Sequence, residues 1–579
     1  MAEQLIVKNY EFIKVLPGWA QEFSYKYCSK TANLYIVHGN IRDYLPNQLY
    51  EGEFNFVRIQ QYIADVLFGN QDIIAFYDRS SGINFSLLEM QEEYLKTMSR
   101  AFPGVDQKTF ISSRPEEAFY YIERYFLLNI PHKKRIVFIV DYSETLIPNT
   151  EVSRLSGEDR YALVTLNRWS HDPIFTQGDV SVVLLTENLV ELCESLVRSP
   201  STVKIFIPLP NEEVREKFLH FLDRKDALLC ERSLNPQRIA KITSGLNLLN
   251  LDQVAAESFQ EDKPITMDYL KEKKKIIIEN EASGMLEIIE TEHDLSLISG
   301  HEFVKKRFKY AARAIKQGRT DVLPMGYLIS GPVGTGKSFI VTAFAGEIGI
   351  PMVRFKNWQS VTERNLEKVL NILKAMSPVG VMVDEADAAL GSRRQTGDSG
   401  IKSRIFAQIS VFMGNTDYRG RIIWFLITSR PDLLPIDLKR QGRAEEHLAL
   451  FYPETPAEKE ELFQTLVRKL KIKIDDFTIA GMLKKFHFDF SGADLEAILI
   501  RAKFNAAMDN HIKITQADME ETIQDFIPPT YPHEIELQNL VAVLECTSRE
   551  MVPKRFAGID RAKVISEIRD LKILLGERD

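Results

Sequence analysis

Cysteine is scarce in this sequence: four in 579 residues, Cys28, Cys193, Cys230 and Cys546, with no CxxC pair among them. That spacing excludes a zinc ribbon and a disulfide framework as the organising device. Long apolar runs are missing too. The longest, such as Ile422 to Ile427, have the length of strands and fall far short of the ~18 residues a membrane span needs. The opening MAEQLIVKNYEF places acidic and polar residues where a secretory leader needs a basic start and an apolar stretch, so a cytoplasmic location is expected, with no membrane partner. No strong excess of one charge sign is present. A formal net charge of −8 argues against bulk electrostatic binding of nucleic acid. His301-Glu302 and His533-Glu534 lack the second histidine of an HExxH zinc helix, which argues against a metalloprotease.

What is present is the balance of a globular protein, 45% hydrophobic and 27% charged residues, in a chain long enough for several cores. Five short, apolar, β-branched runs punctuate the first part: 33–37, 72–77, 135–140, 180–185 and 203–207. Near-continuous apolar strands fit a parallel sheet covered on both faces, with helices such as 116–128 between the strands. The aromatics of that helix, Phe119, Tyr120, Tyr121, Tyr125 and Phe126, are expected to pack in the core. From 211 to about 259 the pattern is helical. Residues 259–298 read as a linker whose run Lys271-Glu272-Lys273-Lys274-Lys275 would be a solvated helix face. A second α/β block spans 299–452 and a helical block 453–530. Pro528-Pro529 breaks the chain before a helical extension, 531–579.

Two motifs carry chemistry. Gly331-Pro332-Val333-Gly334-Thr335-Gly336-Lys337-Ser338 is a complete GxxxxGK[ST] phosphate loop, led in by an apolar strand and led out, from Phe339, by a helix. Its glycines let several N–H groups turn toward a phosphate. Lys337 can reach the β- and γ-phosphates, and Ser338 can ligand Mg²⁺. Downstream, the strand Val379–Val383 ends in Asp384-Glu385-Ala-Asp387. Asp384 is placed to hold Mg²⁺, and Glu385 to polarise an attacking water.

These motifs and their surroundings, over about Leu297 to Asn505, resemble the classical AAA clade of hexameric ATPases. The run from Asp387 to Arg394 and the stretch Ser403 to Gln408 resemble the segment after the acidic motif. Ile422 to Asp432 resembles the sensor-1 strand, with Ser429 where that clade usually carries Asn. Leu438 to Arg443 resembles the arginine-finger segment, which implies Arg440 and Arg443 acting in a neighbouring subunit. Ser491-Gly492-Ala493 resembles the lid motif that approaches the nucleotide base. The pore-loop stretch, Phe355 to Asn365, is shorter than in the family's unfoldases and offers Trp358 as either a gripping or a packing aromatic.

The first 258 residues resemble a degenerate copy of the same module. No Gly-Lys-Ser/Thr follows Val37-His38-Gly39-Asn40, and Tyr142 follows Asp141 where the glutamate would stand. The connector 273–287 is similar to an AAA group of cyanobacteria and plastids. The resemblance implies an α/β fold with a P-loop sheet and helical lid behind a degenerate α/β module. It also implies Mg-dependent ATP hydrolysis, a homo-oligomeric (hexameric) ring, and a role in protein remodelling or assembly. The alternative is an ATP-gated scaffold or switch that threads no substrate.

Overall fold

The computed structural model describes residues 13–577 apart from 31, 51–52, 226, 232, 357, 359–360, 391–398, 480–481, 483–490, 528–530 and 559. Pro528-Pro529, part of the run from Asp387 to Arg394, and part of the stretch around Trp358 therefore lie outside the described residues. The chain divides into two units, one running to Ile278 and one from Glu279 onward, with Arg364–Ala375 grouped with the first.

The first unit is built on strands β1 (Leu34–Gly39), β2 (Tyr44–Tyr50), β3 (Glu53–Arg58), β4 (Ile73–Asp78), β5 (Gly82–Phe85), β6 (Ile136–Val140), β7 (Val180–Thr186) and β8 (Thr202–Ile207). The five apolar runs all become strands of one six-stranded sheet, ordered β5-β4-β6-β7-β1-β8. Its pairings are parallel except for the antiparallel edge strand β5. Two cores sandwich it. Ile36, Phe138 and Val140 face one, with Trp169 and Phe119; Tyr35, Val37 and Ile139 face the other, with Phe23 and Tyr62. Alternate residues of one apolar run thus supply opposite faces, which is why the runs show no polar alternation. In the helix Pro115–Asn129, Phe119, Tyr125 and Phe126 are fully buried, whereas Tyr120 is exposed because it points off the core-facing stripe.

Helices Glu212–Arg224, Pro236–Ile242, Leu248–Gln260 and Met267–Glu281 form the helical part of this unit. The last of them corrects the reading of the connector. Leu270 and Ile278 are core residues, and Lys274 is buried, its Nζ donating to the Ile242 carbonyl at 2.8 Å and to Ser244 Oγ at 3.2 Å. Burial pushes the Lys274 ammonium down to about 8. A helix in a charge run can still bury one lysine if oxygen acceptors, here one carbonyl and one hydroxyl, wait at its tip.

The second unit carries β9 (Leu286–Ile288), β10 (Gly326–Ser330), β11 (Met352–Phe355), β12 (Val379–Val383), β13 (Ile422–Ile427) and β14 (Glu446–Ala449). Its sheet order is β14-β10-β13-β12-β11-β9. Read from the opposite edge, the first sheet is β8-β1-β7-β6-β4-β5. The five parallel strands of the two sheets follow the same order, and each sheet adds one antiparallel edge strand, β5 following β4 in the chain and β9 preceding β10. β9 lies within the stretch read as linker. A helical lid comes next (Pro456–Lys469, Gly492–Met508, Gln516–Asp525), its helices opened by capping boxes at Thr455, Ser491 and Thr515. The helices Pro532–Glu545 and Arg561–Leu574 close the unit. Among the described residues, no helix is long and apolar enough to cross a membrane.

Candidate nucleotide site

Strands β10, β13 and β12 are hydrogen-bonded neighbours, so their carboxyl ends deliver the phosphate loop, the sensor segment and the acidic pair to one edge of the sheet. That edge is where parallel α/β sheets hold ligands.

Backbone geometry dictates the loop's glycines. Gly331 has φ +138°, and a Cβ there would stand 2.0 Å from the Leu450 carbonyl oxygen. Gly334 has φ +79°, with a Cβ falling 2.7 Å from Ser491 Oγ. The Gly492 N–H donates to the Gly334 carbonyl at 3.2 Å, so the lid motif touches the phosphate loop directly, while Ala493 beside it is exposed. Thr335 Oγ1 donates to the Pro332 carbonyl at 2.9 Å, and Gly336 caps the helix Lys337–Ile348. Ser338 is half-buried on its first turn. Phe339 lies under the Lys469 ammonium of the lid, 4.5 Å from ring centre to Nζ.

Lys337 is 9% exposed, and its Nζ donates to the carbonyls of Gly331 and Pro332, both at 2.8 Å. Burial pushes this ammonium down to about 8, against the opposing pull of Asp384 and Asp387. A lysine lowered below its unfolded value of about 10.4 makes the unfolded chain the better proton binder between those values, so stability rises with pH there. The nucleotide-free protein should therefore gain up to roughly 3 kcal/mol between pH 8 and 10. Lys337→Met should lack that gain. Parallel melting-temperature curves for the two proteins across this range would refute the buried charge.

Asp384 is half-buried and accepts from the Glu385 N–H at 3.1 Å; Glu385 is exposed and left-handed, with φ +47°. The turn carries the second carboxylate clear of the strand. Asp387, not singled out as a site residue from sequence, accepts from the buried Thr428 Oγ1 at 2.6 Å, and Thr428 accepts from the Arg430 N–H at 2.8 Å. This bridge fixes the acidic motif to the sensor segment, where Ser429 is half-buried. The two candidate finger arginines differ. Arg440 has a 60% exposed side chain, with Asp437 3.9 Å away. Arg443 is buried and donates to the Asp437 carbonyl at 2.6 Å. Trp358 stacks on Phe355, with ring centres 4.2 Å apart.

The corresponding edge of the first sheet is differently filled. Tyr142, next to Asp141, has φ +50°, matching the left-handed turn of Glu385. The Asp141 carboxylate, however, is taken by the chain itself. Arg42 donates to both its oxygens, at 2.8 and 2.9 Å, and the Gln60 side-chain amide donates through Nε2 at 2.8 Å. The Arg42 guanidinium also lies 4.0 Å over the Tyr142 ring. In place of a phosphate loop the chain forms the β2–β3 hairpin.

Three family models match: the N-terminal Rossmann-like domain of AAA+ chaperones over residues 9–208, their second helical domain over 213–283, and the ATPase family associated with various cellular activities over 327–452. The chain belongs to the AAA family. It is 24% identical to the AAA domain-containing protein ycf46 of Guillardia theta, over 59% of this chain and 69% of that protein. It is 23% identical to a cell division cycle protein 48 homologue of Archaeoglobus fulgidus, over 69% of this chain and 60% of that protein. To the zinc metalloprotease FtsH 2 of Petrotoga mobilis it is 30% identical, over 44% of this chain and 40% of the relative. The chain thus spans well under two thirds of the last of these, and 60% of the second. The AAA fold, a P-loop sheet with a helical lid behind a Rossmann-like first unit, agrees with the expectation from the sequence motifs.

Proposed function

We propose that the second unit binds Mg-ATP and hydrolyses it to ADP and phosphate, and that the protein uses turnover to remodel or assemble other proteins as a homo-oligomeric ring, a hexamer as is usual in the family. The observation carrying the ATPase reading is the convergence of Lys337, Asp384 and Glu385 at one sheet edge, under a lid that contacts Gly334.

The hydroxyl of Ser338 and the carboxylate of Asp384 are hard oxygen donors of the kind Mg²⁺ takes, and the negative field of Asp384 at Lys337 fits a site for a cation shared with phosphates. When bound, Mg²⁺ neutralises charge on the β- and γ-phosphates. The residues do the rest. The backbone N–H groups from Gly334 to Phe339 cradle the phosphates, and Lys337 turns its ammonium from the loop carbonyls to the nucleotide. Glu385 orients and polarises the attacking water, and Ser429 offers a hydroxyl to the γ-phosphate. Gly492 and Ala493 approach the base, and Arg440, the exposed one of the two candidate finger arginines, acts on the neighbouring subunit's site, while the buried Arg443 holds the segment that carries it.

The first unit contributes no turnover in this reading. A metal held by Asp141 would have to displace a paired guanidinium, and no lysine stands on a phosphate loop there. Lys337→Ala in the full chain should therefore remove all Mg-dependent ATPase, a loss of at least about 10²-fold. Residual turnover near the parent rate would show that the first unit works as an ATPase and sink this assignment.

A second reading is an ATP-gated scaffold or switch, favoured by the stacking of Trp358 on Phe355, which leaves that ring occupied in packing. The two readings part on a threading assay with a fluorescent folded substrate, since a switch would hydrolyse ATP without unfolding it. We expect a cytoplasmic protein that acts on neither nucleic acid nor membrane.

A further inference from the structure

The matched ATPase model ends at residue 452, yet the helices Pro532–Glu545 and Arg561–Leu574 reach back to three of its motifs. The two pack on each other through Leu537, Leu540, Val564 and Ile568, and Ala542 packs against Ala449 and Phe451 at the end of β14. Covering that apolar edge would require nothing polar. The polar contacts fall instead beside the nucleotide machinery. Gln538 Oε1 accepts from the Val333 N–H of the phosphate loop at 3.0 Å. The Glu577 carboxylate accepts from Arg430 Nη1 and Nη2 at 2.6 and 2.7 Å. Glu545 pairs with Lys439 and lies 3.2 Å from His447 Nδ1.

Two of these contacts adjoin residues assigned to ATP turnover. Arg430 follows Ser429. Its side chain is only 14% exposed, and besides Glu577 it donates to both oxygens of Asp432, at 2.9 and 3.0 Å. Asp432 in turn pairs with Lys572 at 2.9 Å. A guanidinium held on both forks by two carboxylates has a fixed plane, and a half-buried site weakens screening of those pairs. The hydrogen bonds donated by Arg430, with its charge, hold the Glu577 carboxyl below its usual range. Lys439 precedes Arg440. Its ammonium donates to the Pro431 carbonyl at 2.9 Å while pairing with Glu545, so the finger segment is tied to the sensor loop and to the helix pair at once.

Resting on the ATPase reading above, we propose that Glu577 and Glu545 are positioning residues for ATP turnover: through Arg430 and Lys439 they hold Ser429 and Arg440 in the geometry the reaction needs. Glu577 pairs with Arg430, and Glu545 with Lys439 and His447, rather than with a residue of the phosphate loop or the acidic pair. Their loss should therefore lower the rate of the chemical step and leave ground-state binding alone.

The test compares the full-length parent, Lys337→Ala, Glu577→Gln, Glu577→Asp and Glu545→Gln, measuring kcat, KM, affinity for a fluorescent ATP analogue, and amide exchange over residues 428–440. We expect kcat of Glu577→Gln and Glu545→Gln to fall about tenfold or more, because sub-ångström misplacement of reacting groups has costs of this size. KM and analogue affinity should stay within about twofold of the parent, the mark of an interaction that matters in the transition state. Glu577→Asp, which keeps the charge, should retain most of the activity, and exchange over 428–440 should rise in Glu577→Gln. Parent kcat and parent exchange in Glu577→Gln would overturn the proposal. So would an equal loss in Glu577→Asp, or a loss of affinity matching the loss of kcat, which would mean general loosening. A parent without Lys337-dependent turnover would defeat the ATPase reading alone; the exchange comparison still decides whether Glu577 orders the sensor loop.

Discussion

Glu385→Gln should bind ATP as the parent does and turn it over about 10²–10⁴ times more slowly, the span that general-base groups contribute. The reasoning begins with the turn. Glu385 adopts a left-handed conformation and is exposed, while Asp384 beside it is half-buried and accepts the Glu385 N–H. One carboxylate is thus held by the backbone at the strand end and the other stands free of it, the separation of roles that a metal ligand and a base require. The amide keeps shape and hydrogen-bonding capacity but is far too weak a base to draw density from water. Binding, which depends on the phosphate loop and Lys337, should not change. Rapid filtration with labelled ATP and a coupled phosphate assay separate the two quantities. A variant turning over at the parent rate would remove Glu385 from the mechanism. A variant that failed to bind would make it a structural residue of the site. Because the variant holds ATP, it is also the natural bait for trapping protein clients.

The second large effect is expected at Arg440. Arginine fingers supply about 10³–10⁵ in rate where they have been dissected, so Arg440→Ala should depress turnover by about 10³-fold in an assembled protein. Its side chain is largely exposed, with one carboxylate 3.9 Å away, so removal should cost little stability. Arg443 differs. Buried, bonded to the Asp437 carbonyl and packed against Gly414, it holds its own segment in place, so Arg443→Ala should also lower the melting temperature. Mixing gives the sharper measurement. Arg440→Ala subunits retain Lys337 and Glu385 but cannot donate a finger; Glu385→Gln subunits can donate one but cannot hydrolyse. Mixed assemblies should regain part of the activity, and specific activity of the parent should climb with concentration. Full activity of Arg440→Ala, or flat activity on dilution to monomers, would leave a self-contained nucleotide switch as the better account.

Much of the fold was legible in the sequence because its causes are local. A strand buried on both faces must be apolar at consecutive positions, so β1, β4, β6 and β7 announce themselves as runs; the edge strand β8 is only partly buried, with Lys204 exposed, yet is apolar enough to read as one. A phosphate loop must place glycines where the backbone turns left-handed, and Gly331, Gly334 and Gly336 all do so. The short edge strands β5 and β9 and the β2–β3 hairpin have no such signature, since a few residues paired on one side can have almost any composition.

What the tertiary structure decided are the long-range polar contacts. A charged residue reads the same in sequence whether it is solvated, buried or paired. Lys274 looked like one of a run of surface lysines until the Ile242 carbonyl and the Ser244 hydroxyl were placed at its tip. Arg42 and Asp141 stand far apart in the chain and meet only because β1 and β6 flank β7, so their ends converge. Gln538, Glu545 and Glu577 stand a hundred residues or more beyond the motifs they touch and reach Val333, Lys439 and Arg430 only because one helix packs against the end of β14 and the next packs on that helix. Sequence by itself determined the apolar parallel strands, the GxxxxGK[ST] loop and the acidic pair, because backbone geometry imposes those residues at adjacent positions. Which arginine is free to reach outward, which carboxylates are already paired and what braces the sensor loop were left to the fold, because ion pairs between distant elements impose no pattern on the residues around them.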